Sequence, residues 1–305
     1  MPVFNAATTV VRAIDSVLSQ SFDDFELVIV DDGSSDGSAQ ILNRYAERPS
    51  VTVLRNPANQ GLVASLNRGL GIARGRYIAR LDADDVASID RLALQVAALE
   101  RQPGSVLSAT GYRRVRPDGT LVGVRVPPLT HATLAVSMLG GNRIAHSTAM
   151  FRTDTALRVG GYRADWFPVE DYDLWLRLLD NGVYVGVAAT CADYLENPAG
   201  ISSERSEEQH RRHRARSQAY KVAIDPAWND LGGRWHRVRA EAAVLDALVG
   251  QLRSRLLPLT GVAVAGRQVL HEQVKDLRRV PRVALLSLAA PRWQFARLFP
   301  RAVGG

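Results

Sequence analysis

Residues 25–34 read FELVIVDDGS and residues 77–85 read YIARLDADD. Each is a short apolar run that stops at a cluster of carboxylates. Such runs suit strands buried on both faces, so strands are expected over 25–30 and 77–81. Residues 51–54 repeat the pattern and end at Arg55-Asn56-Pro57. Helical spacing fills the gaps. Val10, Val11, Ile14, Val17 and Leu18 share one face, and helices are expected near 38–45, 62–73 and 89–101, the last capped by Ser88. Short strands alternating with helices imply an α/β fold whose sheet is mostly parallel and covered on both faces. Ligands of such sheets bind at the carboxyl ends of strands. Both acidic clusters stand at strand ends.

Beyond residue 105 the pattern loosens. Asp118-Gly119 marks a hairpin turn, 148–151 reads as a strand, and 172–179 as a helix opened by Glu170 and Asp171. From 203 onward the chain reads as helical and arginine-rich. The division expected is a catalytic domain over 1–202 and a basic helical extension over 203–305. Residues 1–202 hold 19 basic and 22 acidic residues, a net −3, and 203–305 hold 19 and 9, a net +10. A basic rear suits anionic lipid headgroups or nucleic acid, or is a solvated helical face.

Composition excludes several classes. One cysteine, Cys191, can form neither an internal disulfide nor a cysteine-based zinc site and fits a reducing compartment. No run of about 18 apolar residues suggests a membrane span. Only Lys221 and Lys275 are lysines, and neither follows glycine, so a Walker phosphate loop is absent. Gly69-Leu70-Gly71 falls inside a helix instead of after a strand and is no dinucleotide fingerprint.

Three places could carry chemistry. Asp82 and Asp84 alternate at a strand end, where a hard cation would relieve their repulsion and bridge to phosphate; the alternative is a solvated or helix-capping acidic loop. Asp31-Asp32-Gly33-Ser34 could accept hydrogen bonds from a base or ribose, or could be a tight turn before a helix. Glu170 and Asp171 could supply a general base, or could be acids favoured by the helix dipole. His146 could touch a phosphate or be structural.

Together, MPVFNA, SVLSQSFDDFELVIVDDGSSDGS, NQGLVASLNRGLGIARGRYIARLDADD, HSTAMFR, GGY and VEDYDLWLRL resemble the large family 2 of inverting glycosyltransferases. These stretches cover about 1–185 in the expected order. The resemblance implies the GT-A fold, a Rossmann-like nucleotide-binding fold with a mixed, mostly parallel sheet. It implies that Phe4 and Asn5, with the backbone near Pro2 and Val3, line the nucleotide base. Asp32 would bond that base, uracil, and Asn59, Gly61 and Arg80 would shape the donor pocket. Asp82 would lie by ribose and metal, Asp84 would ligate Mg²⁺ or Mn²⁺, and Asp171 would be the base, supported by Glu170. The donor would be a UDP-sugar and the acceptor a hydroxyl of a saccharide or lipid-linked molecule. The product would belong to bacterial cell-surface polysaccharide or glycolipid. The enzyme would be cytoplasmic, peripheral at the inner face of the membrane, with no nucleic-acid partner.

One segment departs from the family. Where relatives carry Tyr-Arg-x-His-Pro over the diphosphate, this chain has Tyr194-Leu195-Glu196-Asn197-Pro198. A nucleotide-sugar-binding homologue without turnover, acting as an assembly subunit, is therefore a rival. A sugar-nucleotide pyrophosphorylase is another, but it needs a glycine-rich basic N-terminal loop. Two further expectations concern the ends. Residues 283–290 are apolar, and 291–301 interleave Trp293, Phe295, Leu298 and Phe299 with Arg292, Arg297 and Arg301, as suits an anionic bilayer boundary or a helix packed on the catalytic domain. In the family several apolar residues precede the equivalent of Pro2, so an apolar β-branched stretch is expected ahead of Met1 in the natural protein.

Overall fold

The computed structural model describes residues 1–196 and 205–224. Asn197, Pro198 and the segments 283–290 and 291–301 lie outside the described residues, as does most of the basic extension.

A parallel, three-stranded sheet forms the first half, in the order β1 (Pro2–Val3), β2 (Leu27–Asp31), β3 (Val51–Arg55). The connections are α1 (Val10–Leu18) and α2 (Ser38–Tyr45). Val10 and Ile14 of α1 and Leu42 of α2 meet Ile29 of β2 in one core cluster, which is why these strands read as unbroken apolar runs. Helix α3 (Leu62–Ile72) then leads to β4 (Tyr77–Ala79).

The second sheet runs β4, β8 (Ala149–Arg152), β6 (Ser105–Val115), β9 (Val183–Leu195), β5 (Val86–Ala87), with β7 (Leu121–Arg125) paired to β6. Only β6 and β9 are parallel here; β4–β8, β6–β8, β6–β7 and β5–β9 are antiparallel. The mixed, mostly parallel architecture expected thus has its all-parallel part in the first half and its antiparallel pairs in the second. There β6 and β7 join through the Asp118-Gly119 turn, with no helix between them to enforce a parallel crossover.

Helix α4 (Arg91–Arg101) is preceded by Asp90 and not by Ser88, because Val86 and Ala87 are drawn into a strand against β9. After α5 (His131–Met138) and α6 (Thr153–Arg158) comes α7 (Glu170–Leu179), buried along nearly its whole length. Trp175 is fully buried against the rings of His146 and Phe151. The final described helix, α8 (Ser206–Ile224), lies against α7. Among the described residues no helix is long and apolar enough to cross a membrane.

Candidate functional site

The carboxyl ends of β1 and β2 are latched together. Asn5 adopts a left-handed conformation (φ 50°), its N–H donates to Ser34 Oγ (3.0 Å) and its side-chain oxygen accepts from Ser35 N (2.9 Å). Ala6 N and Ala7 N donate to Ser38 Oγ and Asp36 Oδ2. The short β1 therefore leaves Asn5 held, while the neighbouring Phe4 ring stays 48% exposed. An exposed ring on a fixed backbone is a surface on which a flat base can stack.

Asp32 is buried. Its Oδ1 accepts from Asn56 Nδ2 (2.6 Å) and Gln60 N (2.9 Å), its Oδ2 from Gly61 N (2.9 Å). A base would have to share an oxygen with these three donors. Asp32 thus fixes the 56–61 loop, which carries Asn59, whose side-chain oxygen also accepts from Gly61 N. Gly61 has φ 92°, a conformation costly for any other residue. Gly33 lets this loop close on the β2 turn, since a Cβ there would sit 2.6 Å from the Ala58 carbonyl carbon.

At the end of β4, buried Arg80 forms an ion pair with Asp82. Two other Arg80 nitrogens, Nε and Nη1, have no partner among the described residues. Ser147 Oγ donates to Asp82 Oδ2 (2.9 Å) and accepts from Asp82 N (3.0 Å). Burial alone would raise the Asp82 carboxyl, but Arg80, His146 and Ser147 together outweigh it and hold Asp82 below the usual range. Asp85 behaves oppositely. Burial, then the charges of Asp82 and Asp84, push it well above the usual range, and its Oδ1 accepts from Leu195 N (2.8 Å). Asp85 is therefore a structural acid that ties this loop to β9. Asp84 remains half-exposed.

Asp82 and Asp84 fit a hard divalent cation, because they offer carboxylate oxygens and no softer ligand. Asp82 is already engaged by Arg80 and Ser147, and Asp84 is half-exposed. No cage of three or more His, Cys, Asp or Glu occurs among the described residues. A cation here would take its remaining ligands from phosphate and water.

Glu170 and Asp171 open α7. Glu170 is buried with Oε2 unpartnered, whereas Asp171 is half-buried. Asp171 Oδ2 accepts from Asn142 Nδ2 (2.7 Å) and Oδ1 from Tyr172 N (2.6 Å). Burial pushes Asp171 up to about 6, against those hydrogen bonds. Burial and then the Asp171 charge push Glu170 up to about 8. The charges of Arg80 and Asp82 act on both carboxyls, so the two acidic clusters lie near one another.

Sequence reasoning missed Asn142, which steadies Asp171, and Ser147, which braces Asp82. Ser147 stands in HSTAMFR, quoted above only as a family stretch; nothing in the residue pattern marks Asn142. His146 is structural in its contacts. Its Nε2 shares a hydrogen bond with Tyr162 Oη (2.9 Å), and burial, then Arg80, hold its imidazole well below the usual range and neutral.

A parallel nucleotide-binding half joined to a mixed second half, with acidic loops at their shared edge, defines a GT-A glycosyltransferase fold. Glycosyl transferase family 2 matches residues 1–157, just over half of the chain, and the chain belongs to that family. Among its relatives is EpsE of Bacillus subtilis (strain 168), described as a glycosyltransferase. The two are 36% identical over 186 residues, 60% of this chain and 66% of EpsE. The chondroitin synthase of Pasteurella multocida (strain Pm70) is 28% identical over 216 residues, 70% of this chain but 22% of the synthase. The chain therefore spans less than two thirds of these relatives. Of solved structures, S. aureus TarS 1–349 in complex with UDP-GlcNAc superposes with TM-score 0.60 at 18% identity, over 72% of this chain and 65% of that one. Mannosyltransferase PcManGT from Pyrobaculum calidifontis, in complex with GDP-Man and Mn²⁺, gives 0.56 at 17% identity, over 98% and 86%.

Proposed function

We propose that this chain is an inverting glycosyltransferase that moves a sugar from a nucleoside-diphosphate sugar, UDP-linked, to a hydroxyl of a saccharide or lipid-linked acceptor. The product is cell-surface polysaccharide or glycolipid, and the enzyme works in the cytoplasm against the inner face of the membrane. The observation that carries this reading is the half-buried Asp171, held by Asn142 within reach of the charges of Arg80 and Asp82. The relatives' glycosyltransferase and synthase descriptions support it.

Phe4 and Asn5 take the base, and Asp32 keeps the 59–61 loop in place beside it. Asp84, with Asp82 next to it, would hold Mg²⁺ or Mn²⁺; when bound, the cation neutralises charge on the departing diphosphate. Asp171 accepts the acceptor hydroxyl's proton as that oxygen bonds to the anomeric carbon. The bond from that carbon to the diphosphate oxygen breaks on the opposite side, so the configuration inverts. Asn142 keeps the carboxylate aimed, and Glu170, buried behind it, supports the turn.

A thermal-shift screen of nucleotide sugars with Mn²⁺, followed by transfer assays and the anomeric configuration of the product, tests the reading. A retained anomeric configuration would overturn it. The Tyr194–Pro198 segment favours a second reading, donor binding without turnover. There Glu196 is ion-paired to Arg114 and the ring of Tyr194 packs at a tilt against Tyr112. Tight donor binding with neither transfer nor donor hydrolysis would select it.

A further inference from the structure

Asp171 is held where two pieces of chain, distant in sequence, meet in space. One is the turn from Met138 to Asn142, which brings Asn142 Nδ2 to Asp171 Oδ2 (2.7 Å). The other is the stretch from Asp165 to Val169, which leads into α7. Neither is regular secondary structure along most of its length. Gly140 and Gly141, the latter at φ 122°, separate Asn142 from α5, and glycine restrains a turn least of all residues. Both pieces therefore need anchors from outside.

Helix α8 supplies them. On the first piece, Ser217 Oγ donates to Leu139 O (2.6 Å), three residues before Asn142. The His213 ring packs edge-on against Tyr172 (5.4 Å between centroids), whose hydroxyl donates to Met138 O. On the second piece, Gln209 Nε2 donates to Pro168 O (3.1 Å) and Arg212 Nη1 to Asp165 O (2.6 Å). Arg216 adds its ion pair with Asp173, two residues past Asp171. The acceptors at Leu139, Asp165 and Pro168 are backbone carbonyls, so these bonds fix the path of the chain itself.

Residues 209, 212, 213, 216 and 217 fall within about 140° of arc at 3.6 residues per turn. They form one face of α8, built of donors and a ring instead of aliphatic side chains. Arg211 stands on the opposite face and is exposed.

We propose that α8 is a positioning element for Asp171: through Ser217 on one side and Gln209 and Arg212 on the other, it holds the Asn142–Asp171 pair together. Helix α8 thus works as part of the catalytic unit although it lies beyond residue 202. The grip on the pair follows from the fold, and its effect on transfer rests on the reading of Asp171 as the base. A base acts only within hydrogen-bond reach of the proton it takes, and a misplacement of about 1 Å can cost on the order of 100-fold.

The test uses the 305-residue chain with ¹³C-labelled aspartate carboxyls, the Asp171 signal being assigned from Asp171→Asn. Ser217→Ala and Gln209→Ala each remove one uncharged donor, so a moved Asp171 titration reports a moved carboxyl and not a lost charge. Weakening the Asn142 bond disfavours the ionised form, and each variant should raise the Asp171 midpoint by roughly half a pH unit. Each should also slow UDP release from UDP-GlcNAc with Mn²⁺ roughly tenfold, with KM unchanged. In an Asn142→Ala background Ser217→Ala should add little, since both act on one bond. Arg211→Ala should change neither readout. Unmoved midpoints in both variants, or effects of Ser217→Ala that add in full to those of Asn142→Ala, would overturn the proposal. A raised midpoint with undiminished UDP release would support the positioning and instead overturn Asp171 as the base.

Discussion

At the scale of single residues, the two carboxyls of α7 differ most in access. Asp171 is half-buried and accepts from Asn142, while Glu170 is buried with one oxygen unpartnered. Asp171→Asn should keep metal-dependent donor binding, measured by calorimetry, and lose transfer by on the order of 100-fold or more. Glu170→Gln should lose far less, and the reverse ranking would move the base to Glu170. Because a base must be ionised, the transfer rate should fall as pH drops through about 6, the value to which burial raises Asp171. Glu170 makes a separate prediction about stability. Its folded pKa, about 8, exceeds the ordinary 4.5, so the folded chain holds a proton that the unfolded chain releases across that window. Stability drains as pH rises from 4.5 through 8. Glu170→Gln should therefore gain little in Tm at pH 4.5 and most at pH 8, at roughly 2–4 °C per kcal/mol; a gain independent of pH would refute the assignment. Asp84→Asn should abolish most turnover with Tm unchanged, and near-normal turnover at limiting metal would rule Asp84 out as a ligand.

Elements are tied together by charge as much as by apolar packing. Asp173, fully buried in α7, receives Arg177 from its own helix (2.6 Å) and Arg216 from α8 (2.6 Å). Arg216 also lies over the rings of Trp166 and Tyr220, and Ser217 Oγ donates to Leu139 O (2.6 Å). Removing Arg216 leaves a fully buried carboxylate with one of its two cations and takes the Nε donor from Asp173 Oδ1. Arg216→Ala should thus cost about 3 kcal/mol in urea denaturation, and a loss below about 1 kcal/mol, typical of exposed pairs, would show that α8 docks elsewhere. This contact was only half legible. Asp173 and Arg177 have helical i, i+4 spacing, whereas Arg216 is 43 residues away and α8 carries no clear apolar stripe to announce its partner. The same contrast runs through the strands. LVIV in β2 is unmistakable because both faces are covered by apolar residues. In β6 the buried Ser108, Thr110 and Gly111 break the pattern, since close packing against β9, and not side-chain type, decides their place.

For the whole molecule, what the sequence displayed was the order of strand ends. The acids at 31–32, 82–85 and 170–171 each stop a recognisable run or open a recognisable helix. What it hid was convergence. Asn142 reaches Asp171 and Ser147 reaches Asp82 across 29 and 65 residues, by chain reversals that no local spacing encodes. Charge distribution, by contrast, is fully legible and carries a prediction for the part beyond residue 224. The net −3 of residues 1–202 leaves that part of the chain without strong attraction to an anionic surface, whereas residues 203–305 hold a net +10. Each Lys or Arg near an anionic membrane is worth about 1 kcal/mol, and salt screens that attraction over roughly 8 Å at physiological strength. The aromatic and aliphatic residues at 293–299 would add an apolar component that salt does not weaken. The full chain should therefore sediment with phosphatidylglycerol-containing vesicles and much less with phosphatidylcholine alone, and added salt should release most but not all of it. A chain ended at residue 279 should keep donor binding and lose the salt-resistant fraction, because it lacks both the 283–290 run and the aromatic–arginine segment. Equal vesicle binding by the two chains would dismiss a membrane role for the tail and leave it as packing for the catalytic domain.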